Sequence, residues 1–254
     1  MVMSLKSILL ALVCLVSLFT YRLTADHIEE NVTFKSGSAQ DCLLEGVLCY
    51  NSDGIEAPAI IICHPHPGGG GDMNIPIILE LAKRLNKDFT ILRFNFRGTG
   101  KSQCDFEEGI KGDEDIKGAI TFLENNSTIK PKRIFLWGYS YGSGAAFNST
   151  LQDARVAGSV LVGFPTRYMQ GFSNFEGINN KKAPIHIIVG SEDKISIGIK
   201  EAVTQFVTKT YRQIKLTIIP KADHSFNTYW GGIFDYSGDF YNEILRDEGK
   251  NKED

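Results

Sequence analysis

The sequence predicts an open, mainly parallel α/β sheet wound with helices on both faces. Two observations carry this. Past residue 30, short apolar runs alternate with stretches of helical periodicity. Most of the runs are short and continuous rather than alternating, as parallel strands covered on both faces should be. The candidates are Ala59–Cys63, Phe89–Phe96, Arg133–Trp137, Ser159–Val162, Ile185–Val189 and Ile214–Ile219.

Between them, Ile77, Ile78, Leu81, Ala82 and Leu85 form one helical stripe, with Pro76 tolerated in its first turn. Ile116, Ala119, Ile120 and Leu123 form a second, preceded by Asp113, Glu114 and Asp115, which suit the positive end of a helix dipole. Ile199, Val203, Phe206 and Thr210 form a third. Asn31–Lys35 and Leu43–Tyr50 read as an antiparallel edge pair leading into the sheet.

The 254 residues suffice for one well-buried domain, assigned to residues 31–245 and followed by a polar tail at 246–254. A formal net charge of −3 leaves no basic footprint for nucleic acid. Residues 1–30 are set apart: Lys6 precedes an apolar run from Ile8 to about Tyr21, then Arg22. That run is short for a bilayer span, which favours a secretory signal peptide. Leu23-Thr24-Ala25 is a poor cleavage site, so a membrane anchor through residues 8–21 is the competing expectation. A mitochondrial address is the weaker alternative, because arginine and amphipathic spacing are lacking before residue 21. Sequons begin at Asn31, Asn125, Asn126 and Asn148, and chance explains them about as well as secretion does. Of five cysteines, Cys14 and Cys63 read as buried hydrophobes, and Cys42 and Cys49 can pair in an oxidising compartment. No C-x-x-C spacing suggests zinc or redox chemistry.

In sheets of this kind, ligands bind beyond the carboxyl ends of the strands. The unusual residues gather there: His64-Pro65-His66-Pro67 with four glycines, Arg97-Gly98-Thr99-Gly100, Gly138-Tyr139-Ser140-Tyr141-Gly142, Gly190-Ser191-Glu192-Asp193, and Ala222-Asp223-His224-Ser225. The third matches G-x-S-x-G between an apolar strand and the small residues Ser143, Gly144, Ala145 and Ala146. A serine on so sharp a strand-to-helix turn projects its hydroxyl from the sheet, and flanking glycines relieve the turn. The bland reading is a glycine-bearing turn with a bystander serine; the strand before and helix after favour a nucleophile.

A serine hydroxyl needs a base, and the base needs an orienting acid. His224 follows the final strand and is the candidate base; His27 lies ahead of the assigned domain and His186 inside a strand. Glu192 and Asp193 are both available as the acid, while Asp223 reads as a turn residue.

Together with Phe94-Asn95-Phe96-Arg97-Gly98 and Asp223-His224-Ser225-Phe226, these motifs resemble those of small, lid-poor α/β hydrolases, related in outline to dienelactone hydrolases and serine aminopeptidase-like proteins. The resemblance covers about residues 31–245. It implies an α/β-hydrolase fold and the chain order nucleophile, acid, histidine. It also implies Asp193 rather than Glu192 as the acid, from the family's G-x-x-D loop. One oxyanion-binding amide is expected from Tyr141, the residue after the nucleophile. The other belongs to the loop after Ala59–Cys63, where Pro65 and Pro67 have no N–H, leaving His66 or a following glycine; His66 is taken. For His64, fastening that loop is the expected role. Gln103 and Cys104 depart from the family, standing where a glycine-rich turn is usual, and the N-terminal apolar run is a second departure.

The expected activity is hydrolysis of a carboxylic ester, thioester or small amide through an acyl-enzyme, with no metal or organic cofactor. Gly98-Thr99-Gly100-Lys101-Ser102 is no phosphate loop, because Asn95 replaces the required first glycine. His64-x-His66 lacks the further ligands of a binuclear metal site. The alternative from another class is a non-catalytic hydrolase fold serving as a binding or structural subunit of a membrane-anchored assembly. Thr166–Lys182, with Tyr168, Phe172 and Phe175, lies where an insertion caps the pocket.

Overall fold

In the computed structural model, the described residues are 27–37, 41–106, 111–170, 182–209 and 213–250. The strands are β1 (His27–Lys35), β2 (Leu43–Asn51), β3 (Ala59–Cys63), β4 (Thr90–Phe94), β5 (Ile134–Tyr139), β6 (Val156–Val162), β7 (Ile185–Gly190) and β8 (Ile214–Ile219). The helices are α1 (Pro76–Leu85), α2 (Gly112–Asn125), α3 (Tyr141–Gln152), α4 (Thr166–Gln170), α5 (Ile199–Lys209) and α6 (Trp230–Lys250). The strands form one eight-stranded sheet in the order β1-β2-β4-β3-β5-β6-β7-β8. β1 and β2 run antiparallel at one edge, and the remaining six are parallel.

The expected α/β-hydrolase sheet is therefore observed, antiparallel edge included. β3, β4 and β5 are buried along their whole length, which is why their sequences are continuous apolar runs. Two cores flank the sheet. On one face Ile116, Ile120 and Leu123 of α2 pack with Ala146, Phe147 and Leu151 of α3 and Phe206 of α5. On the other, Ile78 and Leu81 of α1 pack with Ile233, Phe234 and Tyr241 of α6.

Several sequence expectations are corrected. His27, placed ahead of the domain, opens β1 opposite Asn51, so the edge strand starts earlier than residue 31. Helix α6 was not anticipated, and it continues to Lys250, into the stretch read as a polar tail from 246. Its buried residues Ile233, Phe234, Ser237, Phe240 and Tyr241 recur at helical spacing, but Gly231, Gly232 and Gly238 interrupt the pattern. The Tyr241 hydroxyl donates to the Leu136 carbonyl at 2.7 Å, pinning α6 to β5.

The cysteine pairing also differs. Cys42 bonds Cys104, with Cα atoms 5.8 Å apart, and Cys49 is a buried free thiol. Cys42 and Cys49 lie at opposite ends of one extended strand, which separates them by roughly 20 Å and prevents a bridge. Cys104 is brought to Cys42 by the turn after β4, where the Gln103 N–H donates to the Leu43 carbonyl at 2.7 Å.

Residues 8–21, the expected leader or anchor, and Phe172 and Phe175 of the expected cap lie outside the described residues. Among the described residues, no helix is long and apolar enough to cross a membrane.

Candidate active site

The nucleophile candidate sits where β5 turns into α3. Ser140 has φ 53° and ψ −115°, a conformation a non-glycine residue holds only when its surroundings compel it. Those surroundings are bare backbone. A Cβ on Gly142 would lie 2.3 Å from the Cys63 carbonyl oxygen, and one on Gly138 would lie 2.4 Å from that of Gly142. The two glycines let β3, β5 and α3 approach closely enough to force the serine outward. The Ser140 N–H donates to the Val162 carbonyl at 2.9 Å, tying the turn to β6.

His224 and Asp193 arrive from the ends of β8 and β7. The Asp193 carboxylate accepts from His224 Nδ1 at 2.8 Å, from the Ser196 hydroxyl at 2.9 Å and from the Ile195 N–H at 2.9 Å. An ionised carboxylate only accepts, so the imidazole proton resides on Nδ1 and Nε2 presents its lone pair. That Nε2 lies 2.9 Å from Ser140 Oγ. Burial pushes the Asp193 carboxyl up, but the hydrogen bonds it accepts from His224, Ile195 and Ser196 outweigh it. Asp193 therefore sits below the usual carboxylate range.

Glu192 is exposed and donates only its backbone N–H, to the Ala222 carbonyl at 2.9 Å. Asp223 accepts from the Ser225 N–H at 3.0 Å and the Ser225 hydroxyl at 2.6 Å, organising the loop from within. The structure thus brings Ser140, His224 and Asp193 into one hydrogen-bonded chain and leaves both competing acids aside. Ser196, three residues past Asp193, was not singled out from sequence. Its signal was faint: a serine in the turn capped by the aspartate.

Tyr141 is the first residue of α3, so its amide is among those with no acceptor inside the helix. Its ring stands edge-on to that of His66, with centroids 5.7 Å apart, and Phe106 packs edge-on to both. The two expected amide donors therefore belong to neighbouring residues. The His66 ring accepts from the Gly68 N–H at 2.9 Å, and its carbonyl accepts from the N–H groups of Gly69 and Gly71. Tyr168 of α4 lies against the start of α3, where a Cβ on Gly144 would come 2.3 Å from its ring.

His64 is fully buried and staples two strand ends. Its Nε2 accepts from the Phe96 N–H at 3.0 Å, so its Nδ1 carries the proton donated to the Pro65 carbonyl at 2.6 Å. Among the described residues, no group of three or more His, Cys, Asp or Glu side chains is placed to hold a metal ion.

Two histidines give the fold a predictable acid response. Burial pushes His64 down to about 4. It does the same to His186, whose Nε2 lies 2.8 Å from the Thr217 hydroxyl and whose Nδ1 has no hydrogen-bond partner among the described residues. Unfolded, each binds a proton near pH 6.5; folded, each stays neutral down to about pH 4. The unfolded state thus binds more protons across this window, and stability falls as pH drops through it, by up to about 3 kcal/mol per histidine. The thermal midpoint should decline steadily from pH 7 to 4.5, and His186→Leu should remove roughly half of the slope. A midpoint independent of pH over that range would contradict this reading.

Comparison with known proteins agrees with this architecture. The alpha/beta hydrolase domain family model matches residues 56–230. An uncharacterized protein of Rickettsia prowazekii is 27% identical over 210 residues, covering 77% of this chain and 87% of its own. A thiohydrolase of Arthrinium phaeospermum is 29% identical over 188 residues, covering 71% of this chain and 56% of its own. Among solved structures, a protein of unknown function from Agrobacterium tumefaciens, classed with the alpha/beta hydrolases, superposes with a TM-score of 0.71 at 27% identity. The match covers 86% of this chain and 98% of that one. An alpha-beta serine hydrolase homologue from Coxiella burnetii gives 0.66 at 27% identity, covering 82% and 95%. This chain belongs to the alpha/beta hydrolase domain family.

Proposed function

We propose that this protein is a serine hydrolase that cleaves a small carboxylic ester, thioester or amide through an acyl-enzyme. The observation that carries the reading is the unbroken chain from Asp193 through His224 to Ser140, with contacts of 2.8 and 2.9 Å. Ser140 attacks the carbonyl while His224 Nε2 takes its proton, and Asp193 holds the imidazolium that forms. The amides of Tyr141 and His66 stabilise the tetrahedral oxyanion, aided by the positive end of α3. His224 then returns the proton to the leaving group, and water repeats the sequence to release the acid. The thiohydrolase relative supports including thioesters among the substrates.

The test is hydrolysis by the full chain of p-nitrophenyl esters of two to twelve carbons, alongside acyl thioesters of matching length. Turnover of at least one short member is expected, and inertness toward the whole series would favour the non-catalytic subunit.

For location, we propose passage through the secretory pathway or attachment to a membrane by residues 8–21. The Cys42–Cys104 bond supports this, since such bonds persist in oxidising compartments. N-terminal sequencing of the mature protein distinguishes cleavage from anchoring, and a cytosolic chain with reduced Cys42 and Cys104 would contradict both.

A further inference from the structure

We propose that Tyr139 is a positioning residue whose hydroxyl tethers the main chain of the His224 loop, keeping the imidazole in register with Ser140. The inference rests on the serine hydrolase reading and adds a residue to it. Tyr139 ends β5 and immediately precedes Ser140. Its hydroxyl donates to the His224 carbonyl at 2.7 Å. Nucleophile and base are thereby joined by a route that bypasses their own side-chain contact: one peptide bond from Ser140 to Tyr139, then one hydrogen bond to His224.

The His224 loop is held on either side, where the Ala222 carbonyl accepts from the Glu192 N–H at 2.9 Å and the Ser225 carbonyl from Trp230 Nε1 at 3.3 Å. The Tyr139 bond falls between them, on His224 itself. The loop is short, and Lys221 and Phe226 on either side of it adopt left-handed φ values of 62° and 53°. Asp223 organises the loop internally, but its bonds to Ser225 and Phe226 stay within the loop. The Tyr139 hydroxyl connects the backbone of His224 itself to the sheet. The Tyr139 ring also flanks the imidazole, with centroids 5.7 Å apart and planes inclined at 31°. A Cβ at Gly163 would come 3.0 Å from His224 Cε1 and 3.2 Å from the Tyr139 ring, so the absence of a side chain there is what lets the two rings lie against that backbone. Burial and the nearby carboxylates of Asp193 and Asp223 push the Tyr139 phenol up to about 12, which keeps it a donor at working pH. A displacement of about 1 Å in a catalytic group can cost on the order of a hundredfold in rate, so the loss of one such tether should be visible.

The experiment measures p-nitrophenyl acetate hydrolysis by the wild-type chain, Ser140→Ala, Tyr139→Phe and Tyr241→Phe. Tyr241 is the control, because its hydroxyl also donates to a backbone carbonyl, that of Leu136, away from the site. Tyr139→Phe should lower kcat about tenfold with KM within twofold of wild type, while the thermal transition stays cooperative. Tyr241→Phe should leave kcat unchanged. A kcat for Tyr139→Phe within twofold of wild type would overturn the proposal. So would an equal loss in Tyr241→Phe, a change confined to KM, or failure of Tyr139→Phe to fold cooperatively. An inert wild type, or full activity in Ser140→Ala, would instead overturn the hydrolase reading and this inference with it.

Discussion

Replacing Ser140 by Ala should abolish ester hydrolysis, lowering kcat by on the order of 10⁴-fold or more while leaving the thermal midpoint nearly unchanged. The size of the effect follows from how the site is built. Without the hydroxyl, His224 has no proton to remove and no acyl-enzyme can form; what survives is the modest acceleration that amide dipoles give to direct attack by water. Stability should hold for a physical reason as well. Ser140 adopts φ 53°, and its backbone contacts to Val162, Ser143 and Gly144 come from main-chain atoms that the substitution retains. Alanine tolerates that conformation no better than serine, so the strain carries over and the difference is small. Steady-state kinetics on the purified variant checks the first part, and a thermal melt checks the second. A rate within tenfold of wild type would remove Ser140 from the mechanism.

The largest expected effect on stability lies at the other end of the β4 turn. Arg97 and Asp115 form a buried ion pair, with Asp115 accepting from Arg97 at 2.7 Å on one guanidinium nitrogen, from Nε at 3.1 Å and from the backbone N–H at 3.0 Å. The guanidinium also donates to Ser36 at 2.9 Å. Asp115→Asn takes from the buried Arg97 its fully buried carboxylate partner and leaves it facing the partly exposed Glu114 carboxylate at 3.5 Å, so the substitution should cost about 3 kcal/mol. In a chain of this length that lowers the thermal midpoint by on the order of 10 °C. Replacing both members, as Arg97→Met with Asp115→Leu, should recover much of the loss, because neither charge is then buried alone. The consequence reaches the site. The same turn supplies the Phe96 N–H to His64, and the Phe96 ring packs edge-on to Tyr141 with centroids 5.3 Å apart. Chemical denaturation of the single and double variants measures both effects, and a single variant as stable as wild type would contradict the account of the turn.

What could be read from sequence, and what could not, divides along a physical line. Ala59–Cys63 was legible because burial on both faces writes itself as uninterrupted apolar residues. The edge strand Ile214–Ile219, interrupted by Lys215 and Thr217 and only partly buried, was legible instead by its β-branched residues and its place in the alternation of strands and helices. Ser140, Asp193 and His224 were legible as candidates because the sheet gathers ligand-binding chemistry at strand ends, whose order the sequence preserves. The Cys42–Cys104 bond was not legible. It joins residues 62 apart in sequence through the course of the turn after β4, which no local pattern encodes. Helix α6 was missed because its glycines break a pattern that becomes clear only once Tyr241 and Trp137 are seen reaching between α6 and β5. The tether from Tyr139 was hidden for a similar reason: its partner is a backbone carbonyl, and any residue at position 224 would offer one.

The most direct measurement treats the full chain with a fluorophosphonate probe and maps the modified residue by mass spectrometry. Ser140 should carry the phosphonyl group as the single modified residue, and His224→Ala should slow its capture by several orders of magnitude. A folded chain that stays unmodified, or that is modified elsewhere at the same rate with and without the Ser140 hydroxyl, would show that the hydrogen-bonded chain over the sheet does not activate a nucleophile.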